Sequence, residues 1–311
     1  MLDLSVSIGG LDLRNPVMPA SGTFADGLAR SIDINRLGAF VTKTITREKR
    51  SGNPVPRVSE VHAGMLNAIG IPSKGVAYFI DSTVPFYRAY TPPLIVSISA
   101  HTAVEFASLA AELSDVEGIA GIEANISCPN IEEDGKAFAM HASSTAQVVR
   151  HLRAATTLPL WVKLTPNTGE IAAVARAAES EGADAVVVAN TILGMAIDVN
   201  SRRPKLGNVM GGMSGPAIKP IIVRMVYQCS KVVSIPIIGC GGIATADDAI
   251  EYMLAGATAV QVGTSTFVHP NTMPDVIDGM GAYCQRAGVS RLRDLIGTVE
   301  DRGFEPFEAL A

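Results

Sequence analysis

A (β/α)8 TIM barrel with inserted loops covering its C-terminal face is the fold the sequence predicts, from eight short β-branched runs that alternate with Ala-rich stretches of helical periodicity. Two further observations favour one domain over residues 1–311. The chain is 48% hydrophobic and 18% charged, a balance that buries a large core and is too aliphatic for disorder. Barrels of roughly 250 residues or more form single domains, so the length does not force a division.

The predicted strands are 16–21, 39–45, 94–99, 121–127, 160–165, 185–190, 236–241 and 259–264, near-continuous apolar runs as buried parallel strands require. Between them, 103–113, 144–155, 170–181, 216–232 and 246–255 alternate apolar and polar positions at helical spacing and form the outer ring. Pro216 suits a first helical position, and Thr245 followed by Asp247 and Asp248 suits a capped N-terminus. Residues 46–92 and 128–142 exceed a minimal barrel. Both follow strand C-termini, where barrel loops build the active site, so they are expected to cover a substrate.

A formal net charge of −5 without a Lys/Arg-dense face argues against a nucleic-acid partner. No apolar stretch is long enough to span a bilayer, and the first ten residues lack a basic, then apolar, secretory pattern, so a soluble cytoplasmic protein is expected. Cys128, Cys229, Cys240 and Cys284 show no paired spacing and the five histidines are scattered, so no metal is expected.

Two predicted strands carry a lysine, Lys43 in VTKTIT and Lys163 in WVKLTPN. A buried ammonium needs a partner, either a bound anion or an internal carboxylate. After the last two strands come GCGGIAT (239–245) and VGTST (262–266), whose backbone N–H groups can cradle a phosphate at a helix N-terminus. Such loops indicate a phosphorylated ligand without saying which. ANISCPN (124–130) clusters Asn125, Ser127, Cys128 and Asn130 at the end of the fourth strand, and Asn190 ends the sixth; their amides suit a planar heterocycle. Cys128 taken alone reads equally as a buried, inert thiol.

NISCPN, GNPVPRVSEVHAGMLNAIGI (52–71), NTILGMAID (190–198), GGMSGPAIKP (211–220) and GCGGI (239–243) together resemble class 1 dihydroorotate dehydrogenases over nearly the whole chain. GMLNAIG, GGMSGPAIKP and the loop EEDGKAF are most similar to the two-subunit, NAD-linked B-type. The resemblance implies an FMN-dependent enzyme that oxidises dihydroorotate to orotate in pyrimidine biosynthesis, with Cys128 as base and Lys43 near the substrate and flavin ring, offsetting negative charge there. It places substrate at Lys43, Asn67, Ile69, Gly70, Ile71, Asn125, Asn130, Asn190 and Thr191. It places FMN at Ala20, Ser21, Lys43, Thr44, Asn125, Lys163, Gly215, Gly241, Gly242, Gly263 and Thr264. It further implies a homodimer of this chain inside a heterotetramer, whose second subunit carries FAD and an iron–sulfur cluster and passes electrons to NAD. A loop over 130–142 would close the site.

Residues 71–75 (IPSKG) stand where the family usually has Asn-Pro-Gly, and Ser97 where the B-type often has Asn, so the lid's shape and one polar contact near the flavin are expected to differ. Rival readings are the fumarate-linked homodimeric dehydrogenase, a related dihydropyrimidine dehydrogenase, a flavin-free phosphate-binding isomerase or aldolase, and a silent binding subunit. The Gly loops alone permit the isomerase or aldolase. It leaves Cys128, Asn67, Asn125 and Asn190 together unexplained.

Overall fold

The computed structural model describes residues 2–24, 28–127 and 137–301. The eight predicted strands are present as β1 (Val17–Pro19), β2 (Phe40–Val41), β3 (Leu94–Ile98), β4 (Gly121–Asn125), β5 (Leu160–Lys163), β6 (Ala185–Val188), β7 (Ile237–Cys240) and β8 (Ala259–Val262). They form one parallel sheet in the order β2-β3-β4-β5-β6-β7-β8-β1. Gly38 N donates to Val17 O at 2.9 Å, so the chain entering β2 meets β1 and the sheet comes close to closing into a barrel. Each ladder stops short of its predicted C-terminal end. The small polar residues beyond the ladder ends line the cavity described below.

Two apolar layers hold the barrel. One lies between strands and helices. The other fills the interior with Met18, Val41, Ile95, Trp161, Val187 and Ile238. A hairpin the sequence reading did not foresee, Val6–Ile8 with Leu11–Leu13, adds Ile8 and Leu13 to this interior core. Full burial of a side chain of that size stabilises by roughly 1.5–3 kcal/mol.

The predicted helices are found at Ala103–Ser114, Ala142–Ala155, Ile171–Ser180, Lys219–Ser230 and Ala246–Leu254. Pro216 opens a 3-10 turn, Pro216–Ile218, that leads into Lys219–Ser230. Thr245 and Asp248 form a reciprocal capping box. A further helix, Thr272–Ala287, is hidden in the sequence because Pro274, Gly279 and Gly281 interrupt its pattern. Gly279 is needed for packing: an added Cβ would lie 2.5 Å from Ala246 Cβ on the neighbouring helix.

The expected cover is a four-stranded antiparallel sheet in the order Ile192–Gly194, Gly211–Ser214, Gly64–Asn67, Val58–Val61. Only half of it comes from the predicted insertion 46–92; the other half comes from 190–214, which the sequence reading left without elements of its own. Residues 128–136 of the second predicted insertion, with Cys128 and Asn130, lie outside the described residues. The part of the expected closing loop that is described is packed down: Phe138 and Ala139 are buried, with Phe138 edge-on to Phe106 at 6.0 Å. That stretch anchors the C-terminal part of the expected closing loop, whose residues 130–136 lie outside the described residues. No helix among the described residues is long and apolar enough to cross a membrane.

Candidate active site

The C-terminal ends of the strands and the cover sheet enclose a cavity of about 890 Å³, near the top of the roughly 300–1,000 Å³ range of small-molecule sites. Every predicted site residue within the described chain lines it. From the substrate set these are Lys43, Asn67, Ile69, Gly70, Ile71, Asn125, Asn190 and Thr191; from the cofactor set, also Ala20, Ser21, Thr44, Lys163, Gly215, Gly241, Gly242, Gly263 and Thr264. Cys128 follows directly on Ser127, which lines the cavity as well.

At one end, three chain segments are tied into a cradle. Thr264 Oγ1 donates to Ser214 Oγ at 2.7 Å, Ser265 Oγ donates to Ile243 O at 2.8 Å, and Tyr252 OH donates to Gly241 O at 2.6 Å from the helix behind. Gly242 has φ +71°, and a Cβ there would lie 2.8 Å from Gly215 O. Glycine is therefore required at this position both for backbone conformation and for contact between the two loops. Lys219, beside it, is neutralised by Asp248 at 2.6 Å and Glu251 at 2.5 Å, and these two carboxylates hold its pKa above the ordinary lysine value.

Deeper in, Asn125 Oδ1 accepts from Ser127 Oγ and, at 3.3 Å, from Asn190 Nδ2, which also donates to Ser127 Oγ. Asn190 Oδ1 accepts from Thr191 N at 2.8 Å. Asn167 Nδ2 donates to Thr165 Oγ1 at 3.0 Å and to Thr191 O at 3.1 Å, while its Oδ1 accepts from Leu193 N at 2.8 Å, fixing the entry to the cover sheet. From that sheet, Asn67 Nδ2 donates to Gly212 O at 3.2 Å. The result is a ring of held amides around the cavity, suited to the edge of a planar polar heterocycle.

The two lysines differ. Lys43 has no hydrogen bond or ion pair with any described residue, and burial pushes its pKa below 10.5. Lys163 is buried, with Nζ donating to Gln261 Oε1 at 3.0 Å, Ser21 Oγ at 3.4 Å and Cys240 Sγ at 3.7 Å. Burial opposes its charge, but Cys240 and Glu123 together raise its pKa above the ordinary value. Burial also pushes the Cys240 thiol up. Within the chain, the carboxylate that serves Lys163 is reached through Gln261, whose Nε2 donates to Glu123 Oε2 at 2.6 Å.

Several polar groups were missed. Glu123 and Gln261 sit two residues from Asn125 and Gly263, on the inward-facing alternation of β4 and β8, and a period-2 reading of those strands finds them. Ser97 does not line the cavity. It is fully buried and shares a hydrogen bond with Thr44 Oγ1 at 2.9 Å, so it acts through Thr44. In the departing segment 71–75, Ser73 Oγ accepts from Thr46 N at 3.2 Å and Gly75 N at 3.1 Å, while Ile71 holds φ +48°, a conformation costly for a β-branched residue.

The residues present fit FMN. The glycine cradle accepts a phosphate, the cavity has room for a flavin beside a small heterocycle, and Lys43 is a half-buried cation still without a described partner. Among the described residues no group of three or more His, Cys, Asp or Glu side chains could hold a metal.

Fold and cavity define a (β/α)8-barrel protein with a glycine cradle and a set of held amides around a cavity at its C-terminal mouth. Residues 3–283 match the family model for dihydroorotate dehydrogenase. Proteins named dihydroorotate dehydrogenase B (NAD(+)), catalytic subunit, are similar over nearly their whole length. The protein from Desulforamulus reducens is 49% identical over 298 residues, covering 95% of this chain and 98% of its own. Those from Pelobacter propionicus and Porphyromonas gingivalis are 47% and 48% identical, each covering 96% of this chain, and 99% and 98% of their own. The chain belongs to the dihydroorotate dehydrogenase family.

Proposed function

We propose that this chain is the catalytic subunit of an NAD-linked dihydroorotate dehydrogenase, an FMN-dependent enzyme of pyrimidine biosynthesis that oxidises dihydroorotate to orotate. The observation that carries the reading is the convergence of the family's substrate and FMN positions, as far as they are described, on one cavity. The full length 1–311 is taken as one domain acting in the cytoplasm.

The reaction removes a proton from C5 and a hydride from C6, leaving a C5=C6 double bond. FMN, when bound, supplies the two-electron acceptor for that hydride. Cys128 takes the C5 proton: a thiol of ordinary pKa about 8.5 is a workable base near neutral pH once closed from water. Asn67, Asn125 and Asn190 orient the pyrimidine ring through their amides, with Asn130, Ile69, Gly70, Ile71 and Thr191 completing its surroundings. Lys43 offsets the negative charge of the substrate. Ala20, Ser21, Thr44, Gly215, Gly241, Gly242, Gly263 and Thr264 hold the flavin and its phosphate, and Lys163 favours the reduced, anionic ring.

Electrons then leave through a partner subunit with FAD and an iron–sulfur cluster to NAD, within a heterotetramer built on a homodimer of this chain. The purified chain should reduce artificial dyes and not NAD; rapid NAD reduction by the chain alone would contradict the two-subunit reading. Cys128→Ala should keep FMN bound while dihydroorotate no longer reduces it at pH 7. Unchanged reduction kinetics in that variant would refute Cys128 as base.

A further inference from the structure

Among the described residues, the barrel interior contains one carboxylate that the reaction above does not use. Glu123 is fully buried on β4, two residues before Asn125 and level with Trp161 on β5. Its Oε2 accepts from Gln261 Nε2 at 2.6 Å, and Gln261 Oε1 accepts from Lys163 Nζ at 3.0 Å. Its Oε1 has no hydrogen-bond partner among the described residues. The polarity of this chain follows from chemistry: an ammonium only donates and a carboxylate only accepts, so the bridging amide must present oxygen to Lys163 and NH2 to Glu123. Turning the amide over would set like against like at both ends.

The groups facing Lys163 are few. Among the described residues, Glu123 on β4 and Cys240 on β7 are the titratable ones in electrostatic reach, and Ser21 adds a hydroxyl. Strands β1, β3, β6 and β8 contain no titratable residue. Lys43, after β2, lines the same cavity. The carboxylate that the hydrogen-bond chain brings to Lys163 is Glu123, through Gln261.

We propose that Glu123, acting through the Gln261 amide, is the positioning residue that keeps Lys163 cationic at the cavity and thereby sets how strongly the site favours reduced over oxidised flavin. The redox half of this statement rests on the FMN reading above; the charge half does not. A cation held in place before reduction stabilises the anionic reduced ring without taking up a proton. Without Glu123, Lys163 is a buried ammonium lacking a counter-charge, and it gives up its proton at lower pH.

The test measures two things on Glu123→Gln, Lys163→Met and the double variant. The first is the midpoint potential of bound FMN from pH 6 to 9. E123Q should match the wild type at the acid end and fall progressively below it as pH rises, its slope roughly doubling because a second proton accompanies the two electrons. A profile superimposed on the wild type, or displaced equally at every pH, overturns the proposal. The second is the thermal stability of the apoproteins from pH 6 to 10. In E123Q the folded chain binds its lysine proton less tightly than the unfolded chain does, so its Tm deficit should narrow as pH rises. The double variant should recover at least half the Tm lost by K163M, because it leaves no unpaired buried charge. A pH-independent deficit, or a double variant no more stable than K163M, refutes Glu123 as counter-charge. A wild-type chain that binds no FMN refutes the flavin reading instead, while the apoprotein measurements still decide the charge pairing.

Discussion

Replacing Gly242 with alanine should disable the phosphate end of the cavity and leave the ring of amides alone. An alanine at φ +71° pays a left-handed backbone penalty of about 1–2 kcal/mol. Its Cβ would also lie 2.8 Å from Gly215 O, 2.8 Å from Lys219 Cβ and 3.0 Å from Lys219 N, so the loop and the turn Pro216–Ile218 must separate. Overpacking of this kind costs roughly another 1–3 kcal/mol, for a total of about 2–5 kcal/mol. If the apoprotein keeps the loop's shape, the penalty appears as a Tm lower by several degrees. If the loop relaxes, the penalty falls on FMN binding instead, and about 2.8 kcal/mol is a 100-fold weaker Kd. Both quantities are measurable on one preparation, Tm by calorimetry and Kd by quenching of flavin fluorescence. Gly263 is the control: a Cβ there meets only Ala20 Cβ and Thr23 Cγ2 at 3.5 Å, so Gly263→Ala should cost less than about 0.5 kcal/mol of stability. A Gly242→Ala protein with wild-type Tm and wild-type FMN affinity would refute the cradle.

Lys43→Met should weaken orotate binding by about 10–100-fold, the worth of a charged hydrogen bond of roughly 1.5–3 kcal/mol. Because burial lowers the Lys43 pKa below 10.5, its proton is lost at lower pH than an exposed lysine's; wild-type orotate affinity should fall as pH rises through that loss and K43M affinity should stay flat, as calorimetric titrations at several pH values would reveal. Ile71→Asn should raise Tm, since Asn adopts φ +48° at about 1 kcal/mol less cost than a β-branched residue; an unchanged or lower Tm would mean that Ile71 packing outweighs the strain. Thr245→Ala removes one half of the capping box and should cost about 1 kcal/mol in denaturant unfolding, and no loss there would count against the cap as a stabilising element.

The barrel was legible because each strand is buried on both faces. An apolar run such as 185–190 or 259–264 carries that signature without reference to its neighbours. The cavity lining was legible for a related reason: the polar residues ending those runs, Asn125, Asn190 and Thr264, have nowhere to point but the barrel mouth. What escaped is what depends on pairing at a distance. Ile192–Gly194 and Gly211–Ser214 went without elements because a cover sheet exposed on one side needs no apolar run, and Gly211–Ser214, which pairs with Ile192–Gly194 on one side, finds its other partner, Gly64–Asn67, more than a hundred residues away. Helix Thr272–Ala287 was obscured by Gly279, whose missing side chain is a contact and not a break. The link from Lys163 through Gln261 to Glu123 joins three strands, and no spacing within one segment records it.

The most direct test of the central claim is an anaerobic titration of the purified chain with dihydroorotate, following the visible flavin absorbance. The account predicts a yellow protein that bleaches as dihydroorotate is added, one equivalent of orotate appearing for each FMN reduced. A yellow protein that dihydroorotate leaves unbleached would contradict the substrate, and a colourless protein that takes up no FMN would contradict the cofactor and the class of chemistry with it.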